Sequence, residues 1–222
     1  MMDEHMNNVT DLVEVTDSLE AIAVFRGWKN IFFIIALICL LIIQGAFWIV
    51  DLGILTPDTA ALVQQQGTAL IAADVNAVSV SKGTDIYGFT FVHLANVIKI
   101  CNGLLLISAL LYCMTLLFSM IITVIGRLGG MRHICRAFFW AQIMFVLTIP
   151  WQQFFDSMFL GCIYSPAELT GAISVKSAEI MPMILYYLRF SGYWLLIMLF
   201  LIISQTRCAR WGKSILRRLE II

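Results

Sequence analysis

Charge is scarce in this sequence: Asp, Glu, Lys and Arg make up 13% of its 222 residues, against about 25% in an ordinary soluble domain. Hydrophobic residues reach 61%, where about 45 to 50% is usual, and the excess lies in long uncharged blocks. A soluble globular domain is thereby excluded, and an integral membrane protein implied. Fourteen basic and fourteen acidic residues cancel, so bulk charge gives no argument for nucleic acid, and no nucleic-acid partner is expected.

Recognisable chemistry is also missing. The sequence has no H-E-x-x-H, no G-x-S-x-G and no glycine-rich phosphate loop, and its carboxylates are dispersed among loops rather than paired on a span. An enzyme is the poorer reading, and no cofactor is expected. Six cysteines (Cys39, Cys101, Cys113, Cys135, Cys162, Cys208) form no C-x-x-C pair and no metal-ligand spacing; scattered singly in apolar helices, they read as small core residues. Cys101 and Cys162 fall near the outer ends of their helices and could be bridged only if their Cα atoms come within about 7 Å. Bis-histidine haem needs two histidines at similar depth, but His93 lies outside, His133 inside and His5 in the N-terminal segment.

What is present is a series of apolar runs. Leu104 to Ile125 carries no charge over more than twenty residues, long enough for a helix to cross the roughly 30 Å hydrocarbon core of a bilayer. The stretch from Ile86 to Arg127 lacks proline, and a helix of about forty residues would be roughly 60 Å long, so part of it must project beyond the lipid. If Ile125 marks the inner edge, His93, Asn96, Lys99 and Asn102 fall in or above the outer headgroups. Ile31 to Val50 is the first span. The third begins at Ala137 and is expected to continue past Pro150 through Phe155, with a kink. The fourth runs from Met183 to Ser204, with Tyr186, Tyr187, Tyr193 and Trp194 as an aromatic belt. Because the N-terminus is acidic and no small-x-small cleavage site follows the first run, that run is expected to remain as a membrane helix.

The expected fold is an all-α four-transmembrane-helix bundle with a second helix extended beyond the outer face and an amphipathic C-terminal helix. Its parts are a flexible acidic N-terminus (1–16), a short helix and first span (17–51) opened by an Asp17/Glu20 capping box, and an outer loop (52–90) with a short helix entered at Thr56-Pro57-Asp58. A long helix with the second span (91–126), a basic inner turn (127–136), the third span (137–156), an outer loop (157–182), the fourth span (183–204) and a basic tail (205–222) follow. Ten basic residues near span ends fall on one side (Arg26, Lys29, Arg127, Arg132, Arg136 and the five of the tail), and only Lys82 and Lys176 fall in the opposite loops. By the positive-inside rule both termini are cytoplasmic, in a cell (inner) membrane.

Two constellations stand out. At about 100° per residue, Arg207, Arg210, Lys213, Arg217 and Arg218 share one side of the tail helix, while Cys208, Trp211, Ile215, Leu216, Leu219 and Ile222 share the other. Such a helix is expected to lie in the inner headgroup layer, with its basic face on anionic lipid. The second constellation is polar and lies at the outer level: Gln44, Lys99, Gln152, Asp156 and Arg189. An ionisable group inside a membrane is expensive unless paired or hydrated, so Arg189 is the residue to explain, with Asp156, Asp51 and Glu179 as expected partners. A carboxylate on Arg189 would make it structural; an open polar cavity would make it part of a solute vestibule. The function expected is a non-enzymatic scaffold or accessory subunit that self-associates or docks to another membrane protein. The alternative is a small-solute transporter or channel.

Overall fold

The computed structural model describes residues 2–55, 90–126, 130–151, 161–175 and 180–219. They are helical, without a strand among them. Helix α1 spans Met2–Asp51, α2 Phe91–Ile125, α3 Met131–Thr148 and α4 Pro166–Val175. The last helix is built of α5, Ile180–Tyr187, a π-helical segment, Leu188–Gly192, and α6, Tyr193–Leu219. Three stretches are long and apolar enough to cross a membrane: Glu20–Asp51, Phe91–Ile125 and Ile180–Ile215.

The buried positions of each helix recur at spacings of three and four, the period that keeps one stripe against a neighbour. Ala36, Leu40, Ile43 and Phe47 form this stripe on α1, Leu94, Ile98, Cys101 and Leu105 on α2, and Ile134, Ala137, Ala141 and Met144 on α3. Helix α1 packs chiefly on α2, α3 packs on both α2 and α6, and α6 closes the ring against α1. The faces turned outward are equally apolar, with Ile34, Ile38 and Leu41 exposed on α1 and Ile100, Leu104, Ile107 and Phe118 on α2. Apolar residues all round a helix are what lipid requires and water penalises. Small residues bring α3 close to its neighbours: both Ala137 and Ala141 are fully buried. Their carbonyls accept from Ser204 Oγ at 2.8 Å and Cys113 Sγ at 3.3 Å, the close approach that packing in lipid favours.

The helix ends have local causes. Gly53, at φ +70°, lets the chain turn left-handed after α1, and the N–H groups of Gly53 and Ile54 close on the Val50 and Ile49 carbonyls at 3.0 and 3.1 Å, the Schellman pattern. Gly130, at φ +73°, caps α3; a Cβ there would come 2.6 Å from Ser214 Oγ and 3.1 Å from Trp211 Cδ1. Glycine is therefore what lets α6 reach the start of α3.

The structure departs from the sequence reading in five places. Helix α3 stops at Thr148 instead of continuing past Pro150, because the residue before a proline is pushed out of the helical region, and Ile149 is extended at ψ 134°. Pro166–Val175, expected as part of a loop, is a helix. Helix α1 already begins at Met2, so Asp17 sits within it and not at its cap. The basic tail is no separate surface helix but the continuation of α6, with Cys208, Trp211 and Ile215 buried against protein rather than facing lipid. The basic inner turn expected over 127–136 is largely helix, since α3 begins at Met131 and carries Arg132 and Arg136, ahead of the Ala137 start expected for the third span; the helix expected after Thr56 and the residues Arg127, Gln152, Asp156 and Glu179 lie outside the described residues.

Candidate functional site

Polar groups gather at two levels of the bundle, one near Asp51 and one near Lys29. At the Asp51 end the chain leaves α3, returns at Gly161 and enters α4. The Cys162 N–H donates to the Leu147 carbonyl at 3.1 Å, which satisfies one of the acceptors left open at a helix C-terminus. The Tyr164 hydroxyl donates to the Ile43 carbonyl of α1 at 2.8 Å, and Asn102 Nδ2 of α2 donates to the Tyr164 carbonyl at 2.9 Å. The return segment is thus bolted to both neighbours. Ser165 then caps α4: its hydroxyl accepts from the Glu168 N–H at 3.1 Å.

Glu168 is the residue that Arg189 finds. Arg189 Nη2 and Nε lie 2.7 and 3.2 Å from Glu168 Oε1, and Nη1 donates to the Gly161 carbonyl. The two side chains are 11% and 29% exposed, so this is a partly buried, charge-assisted contact of the stronger kind. From the α1 side, Gln44 holds the same π segment. In the orientation that satisfies its amide, it donates to the Phe190 carbonyl at 3.2 Å and accepts from Trp48 Nε1 at 3.0 Å and Ser191 Oγ at 3.3 Å. Phe190 itself stacks on Phe47 at 5.5 Å and meets Tyr164 edge-on at 5.1 Å. Asp51 accepts from the hydroxyls of Tyr186 and Tyr187 at 3.0 and 3.1 Å.

Of the residues singled out from the sequence, Arg189 and Gln44 therefore converge on one segment, whereas Lys99 is exposed and takes no part in it. Asp51, expected on Arg189, is engaged by tyrosines instead. Glu168 was missed, although Ser165-Pro166-Ala167-Glu168 carries the S-x-x-E spacing of a helix start with proline at the first position. That signal would have turned the loop into a helix with a carboxylate in its first turn.

No pattern in the sequence marks the Lys29 end as a site. Lys29 is only 4% exposed, and its ammonium donates to Gln205 Oε1 at 2.9 Å. Gln205 Nε2 donates in turn to Asn30 Oδ1 at 3.0 Å. The Tyr112 hydroxyl, fully buried, lies 3.1 Å from Ser204 Oγ and 3.4 Å from Gln205 Oε1. One polar layer thus joins α1, α2 and α6, with Ser204 carrying it to α3. Farther along α6, Arg207 is half-buried, Arg210 and Lys213 are exposed and Trp211 is buried; Arg217 and Arg218 belong to the last turns of the helix.

No family model, curated protein or solved structure matches this chain. Its chemistry has to be read from the groups themselves. Among the described residues no three of His, Cys, Asp and Glu gather as a metal would need. The cysteines are free thiols, and Cys101 contacts Cys39 of α1, not Cys162. Burial pushes the Cys162 thiol up to about 12, against the weaker opposing pull of the Arg189 guanidinium. A thiol held protonated is a poor nucleophile. Maleimide at neutral pH is accordingly expected to leave Cys162 unmodified in the folded protein and to label it on unfolding, while the half-buried Cys135 reacts sooner; mass spectrometry of the two peptides reads both.

Proposed function

We propose that this protein is a non-enzymatic membrane scaffold or accessory subunit, which self-associates or docks on another membrane protein. The observation that carries the reading is the pairing of Arg189 with Glu168 and the Gly161 carbonyl. The most conspicuous charge in a span is spent on holding the chain's own return segment, and Gln44 is spent on the same π segment. Such a site stiffens a bundle. Among its described residues the two charges, Arg189 and Glu168, are paired with each other and not left for a solute.

The arrangement in the membrane belongs to the same proposal. Four spans cross the bilayer: the three long apolar stretches, and α3, whose 18 residues rise about 27 Å. The Lys29 end is cytoplasmic by the positive-inside rule, and with it both termini. The 35 residues of α2 rise roughly 52 Å, which carries its Phe91 end beyond the outer face. The partner surfaces are the lipid-facing stripes and the exposed basic face of α6, the latter toward anionic lipid.

Native mass spectrometry and in-membrane crosslinking test the reading directly. A homo-oligomer, or a stoichiometric complex with a second membrane protein, is expected. A strictly monomeric protein that retains no partner from native membranes would remove its support. Solute flux in proteoliposomes that Glu168→Gln abolishes without unfolding the protein would replace it with the vestibule reading.

A further inference from the structure

Among the described residues Lys29 is a cation without a counter-charge. Among the described residues the ion pair is Arg189 with Glu168, and it lies at the opposite end of the bundle. An ammonium has three protons to donate; Gln205 Oε1 takes one, and Cys208 Sγ lies beside it. A neutral amide does not neutralise a buried charge, and an uncompensated one is costly inside a membrane protein. One turn down α1 a second cation faces the same seam. The Arg26 guanidinium reaches across to Gly212 of α6, 3.6 to 3.7 Å from where a Cβ of that glycine would be, and it too has no carboxylate among the described residues. Arg207, Arg210 and Lys213 add positive charge along the α6 side. The acid described at this end is Glu20, exposed and nearly two turns from Arg26 on α1.

We propose that the seam between α1 and α6, at Lys29 and Arg26, binds the phosphate of an anionic lipid headgroup. A phosphodiester carries the missing charge and enough acceptor oxygens to take the spare protons of Lys29 and the fork of Arg26 together. Its depth selects lipid as the source. The apolar run of α1 starts at Ile31, two residues beyond Lys29, and Trp28, 52% exposed and stacked on Phe32 at 5.9 Å, stands where aromatic side chains meet the headgroup level. Basic pockets between membrane helices are known sites for such headgroups. The site differs from the exposed basic face of α6: its centre is Lys29, and its position does not depend on which partner the scaffold takes or on which leaflet it faces.

The test uses purified full-length protein in nanodiscs of phosphatidylcholine with and without phosphatidylglycerol, which present the same lipids to both faces, followed by native mass spectrometry. Wild type is expected to retain phosphatidylglycerol under activation that strips phosphatidylcholine. Arg26→Gln, an exposed change, should weaken retention roughly five-fold, as expected for one basic residue near a lipid phosphate. Lys29→Met should abolish it, Lys29→Arg should keep it, and Lys213→Gln on the exposed face should change it less than about two-fold. Should Lys29→Met fail to fold, Arg26→Gln against Lys213→Gln decides the matter. Equal retention of the two lipids by wild type overturns the site and leaves Lys29 to a carboxylate from a partner helix. Retention unchanged in Arg26→Gln overturns it as well. Inorganic phosphate that displaces the lipid from wild type and stabilises the protein as fully would assign the seam to the free anion, and the lipid assignment would fall.

Discussion

Arg189→Leu is expected to cost the bundle about 2 to 3 kcal/mol, because it strands a carboxylate in a partly buried place. Breaking a buried ion pair from one side costs about 3 to 5 kcal/mol; the 29% exposure of Glu168 puts this pair at or just below the bottom of that range. The loss falls on the return segment first, since the guanidinium also holds the Gly161 carbonyl. Glu168→Leu should cost a similar amount, and the double variant less than either single change, because replacing both charges by apolar groups removes the stranded ion as well as the bond. Reversible unfolding in mixed detergent measures all three. A double variant as unstable as the sum of the singles would show that the two residues act separately.

Gly161→Ala should be comparably severe, for a steric reason. A Cβ on Gly161 would be driven into the Ile149 carbonyl and would meet Pro150 Cα at 3.2 Å. Both neighbours are backbone, pinned by the end of α3, and neither can yield as a side-chain tip could. Forcing an atom into such a contact costs about 1 to 3 kcal/mol or more, and here it also displaces the Cys162 N–H from Leu147. Gly103→Ala in α2 is the control: nothing lies within 4 Å of its Cβ, and alanine should gain about 0.5 to 1 kcal/mol by helix propensity. If both changes left the unfolding midpoint where it was, the close approach at Gly161 would not be present in solution. Rapid maleimide labelling of Cys162 in Gly161→Ala is the local readout.

The helices themselves were legible because their signal is local. A charge-free run such as Leu104 to Ile125 needs no partner to be read as membrane helix, and the proline-free stretch around it gave α2 nearly its whole length. What the sequence hid was pairing across the chain. Arg189 could be recognised as a charge in need of a carboxylate, but which of the carboxylates at that end answers depends on where the return after α3 brings the chain. Pro150 is a stop and not the expected kink, and that brings the return segment inward and delivers Glu168 to Arg189 instead of Asp51. In the sequence Lys29 counts only as one more basic residue near a span end, for a related reason. Its burial is created by Gln205 and Cys208, about 175 residues away, and by the continuation of α6 past the point where a tail was expected to turn along the surface.

The π segment at Leu188–Gly192 gives the last helix two phases. A turn closed i to i+5 holds one residue more than an α-turn, so the stripe set by Tyr186 and Phe190 is out of step with the one set by Ile197, Leu201 and Cys208 by about one residue, or 100°. The upper stretch can therefore face α1 and the return segment while the lower faces α3 as well as α1. In mechanical terms it is a splice in a rod: the angular offset between the two faces is fixed by one surplus residue, and Gln44 and Glu168 are the pins that keep the surplus from travelling along the helix.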